Sequence, residues 1–295
     1  MLLNYLLVFF AAFCWSFSFV IQKILITNLS PVSLVFFRCF FACAMIGGVI
    51  VVTKTPISFS RYHHASFPLV GMVSFAAPFL LISSSVLVLP SNVLGILQST
   101  SSLITLVFAH VLTEDERMTW PKAAAFTMGT IGLLLLFHAQ NNEMLVAITQ
   151  IPAEPVFWVM IAVASYSFSA VISKRFYGIP VLTSTFYSLL WATIYVFPLK
   201  FMDYFFYNHP FYVDARTLVA SVFMGGVLTA MPFLIRQYVI NRAGASFFSL
   251  VGFMIPSLSI VNGWLFLGET LSLAMVEALA FILFALYLSK VAFDA

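Results

Sequence analysis

The chain has 295 residues, of which 62% are hydrophobic and only 8% charged, with mean hydropathy +1.07 and formal net charge +3. A soluble domain carries about 25% charged residues, so this composition excludes one and calls for a lipid bilayer as solvent. The small basic excess is scattered at the ends of apolar stretches, which argues against a nucleic-acid partner.

A helix needs about 20 predominantly apolar residues to cross roughly 30 Å of hydrocarbon. In chain order the sequence predicts ten such spans, at 3–26, 31–52, 66–88, 91–112, 119–138, 155–174, 180–202, 216–239, 244–267 and 272–291. The fold class expected is therefore an all-α integral membrane protein of ten transmembrane helices.

The first span has no basic n-region and no small-residue cleavage site, so it reads as a retained helix, not a signal peptide. It carries Trp15-Ser16-Phe17-Ser18-Phe19. Ala11, Ser16, Phe17, Ser18, Val20, Ile21 and Lys23 recur at an offset of 151 as Ala162, Ser167, Phe168, Ser169, Val171, Ile172 and Lys174 in the sixth span. Another large aromatic, Tyr166, answers Trp15.

Arg38 lies six or seven residues inside the second span, an expensive place for a charge. Cys14, Cys39 and Cys43 have no metal-ligand spacing and read as small apolar fillers. In the third span Ala76-Ala77-Pro78-Phe79-Leu80 matches Ala230-Met231-Pro232-Phe233-Leu234 of the eighth at an offset of 154, and Gly71 matches Gly225.

Within the fourth span Asn92, Gln98, Ser99 and Ser102 recur at three- and four-residue steps, placing several on one helical face. His110 closes that span, and the acidic turn Glu114-Asp115-Glu116 follows. The ninth span begins in small residues from Ala243, holds Ser249, Pro256, Ser257 and Asn262, and ends in Gly268-Glu269-Thr270-Leu271; where it has Pro256, the fourth has Leu103. Glu277, in the tenth, is the second intramembrane charge, at a depth that permits an ion pair with Arg38.

Three anchors in one order at offsets of 151 to 154 mark an internal duplication: a first five-helix repeat at 1–138, a linker at 139–154 and a second repeat at 155–295. Five is odd, so the second copy enters from the opposite side, giving inverted repeats with a substrate site near the midplane between them. With a cytoplasmic N-terminus, nine Lys and Arg (Arg236 among them) fall at inner ends and three (Lys23, Lys200 and Arg216) at outer ends, so both termini are expected in the cytoplasm.

These motifs resemble the drug/metabolite transporter superfamily, in its ten-helix EamA-type branch. The likeness rests on the tryptophan-serine motif at 15–19, the entry to the second span from Leu29 to Arg38, and the ninth-span run from Ala243 through Pro256 to Leu271, and it covers essentially the whole length. It implies a multi-pass permease of a cell membrane, taken as a bacterial inner membrane, carrying an amino acid or related amphipathic metabolite.

From the residues themselves, Trp15, Phe19, Phe79, Gln98, Ser102, Tyr166, Phe233, Ser257 and Asn262 are candidates for substrate contact, because aromatics with sparse polar groups suit an amphipathic ligand. Pro78, Pro232 and Pro256 are candidate hinges, each removing a backbone hydrogen bond inside a span. Arg38 and Glu277 are candidates for coupling. The function expected is secondary active transport by alternating access, driven by protons or exchange.

A channel-like pore is the alternative, disfavoured because inverted repeats suit two alternating states. A membrane-embedded enzyme is further off, since the chain has no phosphate-binding loop, no His-Glu-x-x-His run and no Gly-x-Ser-x-Gly turn. His63 and His64 have no partner at metal spacing, and no metal or other cofactor is expected. The small-molecule substrate and the lipid bilayer are the expected partners.

Overall fold

The computed structural model describes residues 2–57, 65–89, 94, 97–140, 153–207, 209, 213–267 and 273–294. His63, His64, Asn92 and the run Gly268 to Leu271 lie outside these described residues. Within them the secondary structure is helical: α1 Leu2–Leu25, α2 Pro31–Thr53, α3 Ser66–Ser85, α4 Leu97–Leu112, α5 Trp120–Gln140, α6 Ala153–Phe176, α7 Val181–Tyr207, α8 Ala215–Ala243, α9 Val251–Leu267 and α10 Leu273–Asp294. Each falls on one of the apolar stretches read from the sequence. Six are long and apolar enough to cross a membrane, namely α1, α2, α3, α6, α7 and α8, while Leu97–Leu112, Ala245–Leu258 and Leu279–Leu288 are shorter apolar segments.

Local chemistry sets several helix ends. Ser30 is the N-cap of α2, its hydroxyl accepting from Ser33 N at 3.1 Å, and Pro31 follows where its missing N–H costs nothing. Asp214 caps α8 through Thr217 N at 2.9 Å. Lys54 ends α2 in the left-handed region at φ 51°.

Two of the three mid-span prolines sit beside a specific local device. Pro78 and Pro232 each follow a π-helical turn, Met72–Ala76 in α3 and Gly226–Ala230 in α8. A proline ring clashes with the carbonyl four residues back and leaves it without a donor, and widening the preceding turn relieves the clash. These two turns recur at the same 154-residue offset as the sequence anchors. Pro256 lies inside α9, which continues through it from Val251 to Leu267.

The helices pack as close neighbours α1 with α8 and α9, α2 with α7 and α8, α3 with α6, and α4 with α6. Beside these, α5 pairs with α10, where a Cβ added at Gly132 would meet Ile282 Cγ1 at 2.8 Å. Glycine allows that approach, the usual way for helices to gain contact in lipid. Cys14, Cys39 and Cys43 are buried free thiols, consistent with apolar filling.

One end of the bundle is tied by charge. Glu116, between α4 and α5, accepts from Ala245 N at 2.9 Å and Ser246 N at 2.6 Å, capping the short helix Ala245–Phe248 that leads into α9. Lys174 on α6 closes on Glu116 at 2.7 Å. Gly244 turns the chain at φ 91°, and a Cβ there would sit 2.6 Å from the Glu116 carboxylate, so glycine is required twice over. Burial works against ionisation of Glu116, but hydrogen bonds from Lys174, Ser246 and Ala245 outweigh it and hold the carboxyl below its ordinary range.

At the opposite end a second polar cluster is built around Lys200. Counted with the outer-end charges, Lys200 is fully buried, donating to Ser33 Oγ at 2.7 Å and to the His209 carbonyl at 2.8 Å beside Asp203 at 3.6 Å. Asp203 in turn accepts from Ser30 and Ser33 and faces His209 Nδ1 at 2.9 Å, joining the start of α2 to the end of α7.

Candidate functional site

A cavity opens between α1, α2, α3, α4, α6, α8 and the start of α9, enclosing about 870 Å³ between atoms, open solvent at its mouth included. Its wall is aromatic. Phe233 of α8 is the hub, with ring centroids 5.3 Å from Trp15, 6.1 Å from Phe79 and 4.3 Å from Phe75, while Tyr166 meets Phe79 at 6.2 Å. Trp15 also packs edge-on against Phe248 at 5.8 Å. The turned geometries, 61° to 88° for most pairs, bring positive ring edges onto negative faces.

Trp15, Phe19, Phe79, Gln98, Tyr166, Phe233 and Arg38 therefore all face this one space. The residues fall together because α1 and α6 bring the paired motifs at 15 and 166, while α3 and α8 bring the rings just after the two π turns. Gln22 and Ser83 add a polar corner, Gln22 Nε2 donating to Ser83 Oγ at 3.1 Å.

Other candidates lie elsewhere. Ser102 is fully buried and donates to the Ser249 carbonyl at 2.7 Å, under Gly252, where an added Cβ would clash with its hydroxyl. Ser257 turns its hydroxyl back to the Phe253 carbonyl at 3.1 Å. Asn262 donates from Nδ2 to Ser16 Oγ at 3.0 Å. These three join or satisfy helices outside the cavity wall, the ordinary use of small polar groups between membrane helices.

The ion pair that equal depth permits between Arg38 and Glu277 is not found among the described residues. Glu277 is exposed on α10, and the described residues lining the cavity include none from that helix. Arg38 is instead buried, donating from Nε to Thr229 Oγ1 at 2.8 Å with its guanidinium 3.9 Å from the Phe79 ring centroid. His110 stays at the end of α4, accepting from Met118 N at 3.2 Å.

Arg236 is the residue that sequence reasoning misplaced. Counted with the inner-end charges, it is buried, lines the cavity and donates from Nη2 to Ser169 Oγ at 2.7 Å. The span was read as ending at 239, whereas α8 runs to Ala243, so the arginine lies about two turns inside. Its position three residues after Phe233, on the same helical face, was the available signal. Among the described residues, no group of three or more His, Cys, Asp and Glu could hold a metal ion.

Comparison with known proteins gives a consistent result. The model of a family described as "EamA-like transporter family" matches residues 2–138 and again 154–291. A protein of Bacillus subtilis (strain 168) called "Uncharacterized transporter YoaV" is 21% identical over 282 residues, covering 95% of this chain and 94% of the relative. A solved structure described as "Crystal structure of protein" superposes with a TM-score of 0.78 at 15% identity, over 99% of this chain and 97% of that one, a likeness of fold.

Proposed function

Because the chain belongs to the EamA-like transporter family and is a multi-pass integral membrane protein, we propose that it moves a small amphipathic organic metabolite by secondary active transport, its two halves alternating access to the cavity. The single observation carrying this is that cavity, walled by aromatic rings from α1, α3, α6 and α8 and bearing Arg38 and Arg236. Such a lining holds a solute by ring faces and a few directed polar groups, the pattern of a small-molecule site.

Inverted repeats at 1–138 and 155–295 are the architecture that suits this cycle. Two matching passages of the family model and two π turns 154 residues apart support the duplication. Pro78 and Pro232, directly after those turns, serve as hinges in this reading, and both termini face the cytoplasm.

Counter-flow in proteoliposomes tests the proposal. Preloaded with unlabelled aromatic amino acids, aromatic carboxylates or nucleosides, vesicles carrying the protein take up the labelled cognate compound saturably, faster than empty ones. Flux linear in concentration and indifferent to the solute on the far side is the signature of a pore and would rule alternating access out.

A further inference from the structure

Among the described residues, the cavity is lined by two positive charges and no negative one. Arg38 and Arg236 are buried, at 7% and 5% exposure, and both face the same space. A guanidinium carries five N–H donors. Arg38 has the Thr229 hydroxyl as hydrogen-bond partner and Arg236 the Ser169 hydroxyl, both neutral. Among the described residues neither arginine has an Asp or Glu within ion-pair distance, and none of the cavity-lining residues is acidic. Two other buried or half-buried cations do have acidic partners, Lys174 with Asp115 and Glu116, and Lys200 with Asp203. Leaving two guanidiniums uncompensated in a low-dielectric interior is costly, and an arriving anion would relieve that cost.

Ring geometry favours the same ligand. The Arg38 guanidinium lies 3.9 Å from the Phe79 centroid, and that of Arg236 5.6 Å from the Phe233 centroid, with the two rings 6.1 Å apart. A guanidinium stacked on a ring keeps its N–H groups at the edge, where a carboxylate or phosphate accepts two at once. An ammonium entering the cavity meets the repulsion of two cations and, among the described residues, no carboxylate.

Resting on the transporter reading above, we propose that the substrate is an organic anion with an aromatic or apolar body. Its carboxylate or phosphate head, unaccompanied by an ammonium, is held by Arg38 and Arg236, while its body lies against Trp15, Tyr166 and Phe233. Zwitterionic amino acids and amines are poor ligands for this site.

A matched series sharing one phenyl body tests this with the purified full-length protein: 3-phenylpropionate, phenyl phosphate, phenylalanine, phenethylamine and the neutral 3-phenylpropionamide. The two anions are expected to bind at least about tenfold more tightly than the zwitterion or the amide, as charge-assisted bidentate bonds outweigh neutral ones. Phenethylamine is expected to give no signal, and the stronger of the two anions identifies the head group. In Arg236→Gln the preference collapses while amide binding stays within about threefold, and Arg236→Lys, which keeps the charge and guards against misfolding, restores part of it.

Equal or tighter binding of phenylalanine or phenethylamine overturns the assignment, as does no binding of either anion up to the millimolar range. Anion binding without saturable flux upholds the anion site and removes the transporter reading. Saturable flux of phenylalanine with no anion preference does the reverse.

Discussion

The guanidinium of Arg38 lies over the face of Phe79, 3.9 Å from its centroid, joining the one charge of α2 to the first ring after the π turn of α3. A cation on an aromatic face is stabilised by up to about 2 kcal/mol when water is excluded, and among the described residues no acid lies within ion-pair distance of Arg38. Phe79→Leu keeps most of the volume and removes the face. It is expected to weaken transport about tenfold, the equivalent of 1.4 kcal/mol, with a smaller loss of thermal stability. Initial rates in proteoliposomes beside a melting curve in detergent check it; unchanged rates would show the stacking to be incidental.

Thr229 connects Arg38 to the other π turn, accepting from Arg38 Nε at 2.8 Å while donating to the Met224 carbonyl at 2.8 Å. Pro232→Ala returns a backbone donor, and the widened turn at 226–230 is then free to tighten toward α-helix. Turnover should fall several-fold with KM for the transported solute little changed and thermal stability unchanged or raised, as expected for a hinge and not for a contact residue. Equal turnover in the variant would reduce Pro232 to a static kink.

Glu116 gives a pH prediction whose sign follows from its depressed pKa. A carboxyl held below its unfolded value stabilises the fold above that unfolded value, and the contribution is lost as pH falls through the folded one. Acidification from the unfolded value of about 4.5 downward should lower the melting temperature. Glu116→Gln loses the charge that Lys174 and two backbone N–H groups share, so it should melt lower at neutral pH, by about 1 to 3 kcal/mol of stability, and flatten the acid limb. Melting temperatures of both proteins across the acid range decide it; parallel profiles would mean another carboxyl governs the limb.

Gly252 and Ser102 form the tightest seam between α4 and α9. Gly252→Ala drives a methyl into the Ser102 hydroxyl and should cost about 1 to 3 kcal/mol. Ser102→Ala in the same chain removes the obstructing oxygen, while the Ser249 carbonyl keeps its bond from Gly252 N at 3.0 Å. The double variant should therefore recover part of the loss, giving a non-additive cycle. Strict additivity of the melting shifts would show that the helices separate and do not clash.

Much of this molecule is legible without coordinates. Composition selects a membrane protein, because so little charge cannot cover a water-facing surface. Pro78 and Pro232 mark the disturbed turns, because a proline lacks its N–H in any context. Trp15, Phe79, Tyr166 and Phe233, singled out by the recurring tryptophan-serine and proline-phenylalanine motifs, line one cavity.

What the sequence could not decide is the rotation of each helix about its own axis. Gln98 faces the cavity while Ser102, one turn on, locks α4 to α9; Arg236 turns inward and Glu277 outward. In water an amphipathic stripe tells inside from outside, but in lipid both faces of a helix are apolar and that stripe fades. Only the packing of neighbouring helices settles which side of an apolar segment sees the cavity, and so which of its few polar groups can meet a solute.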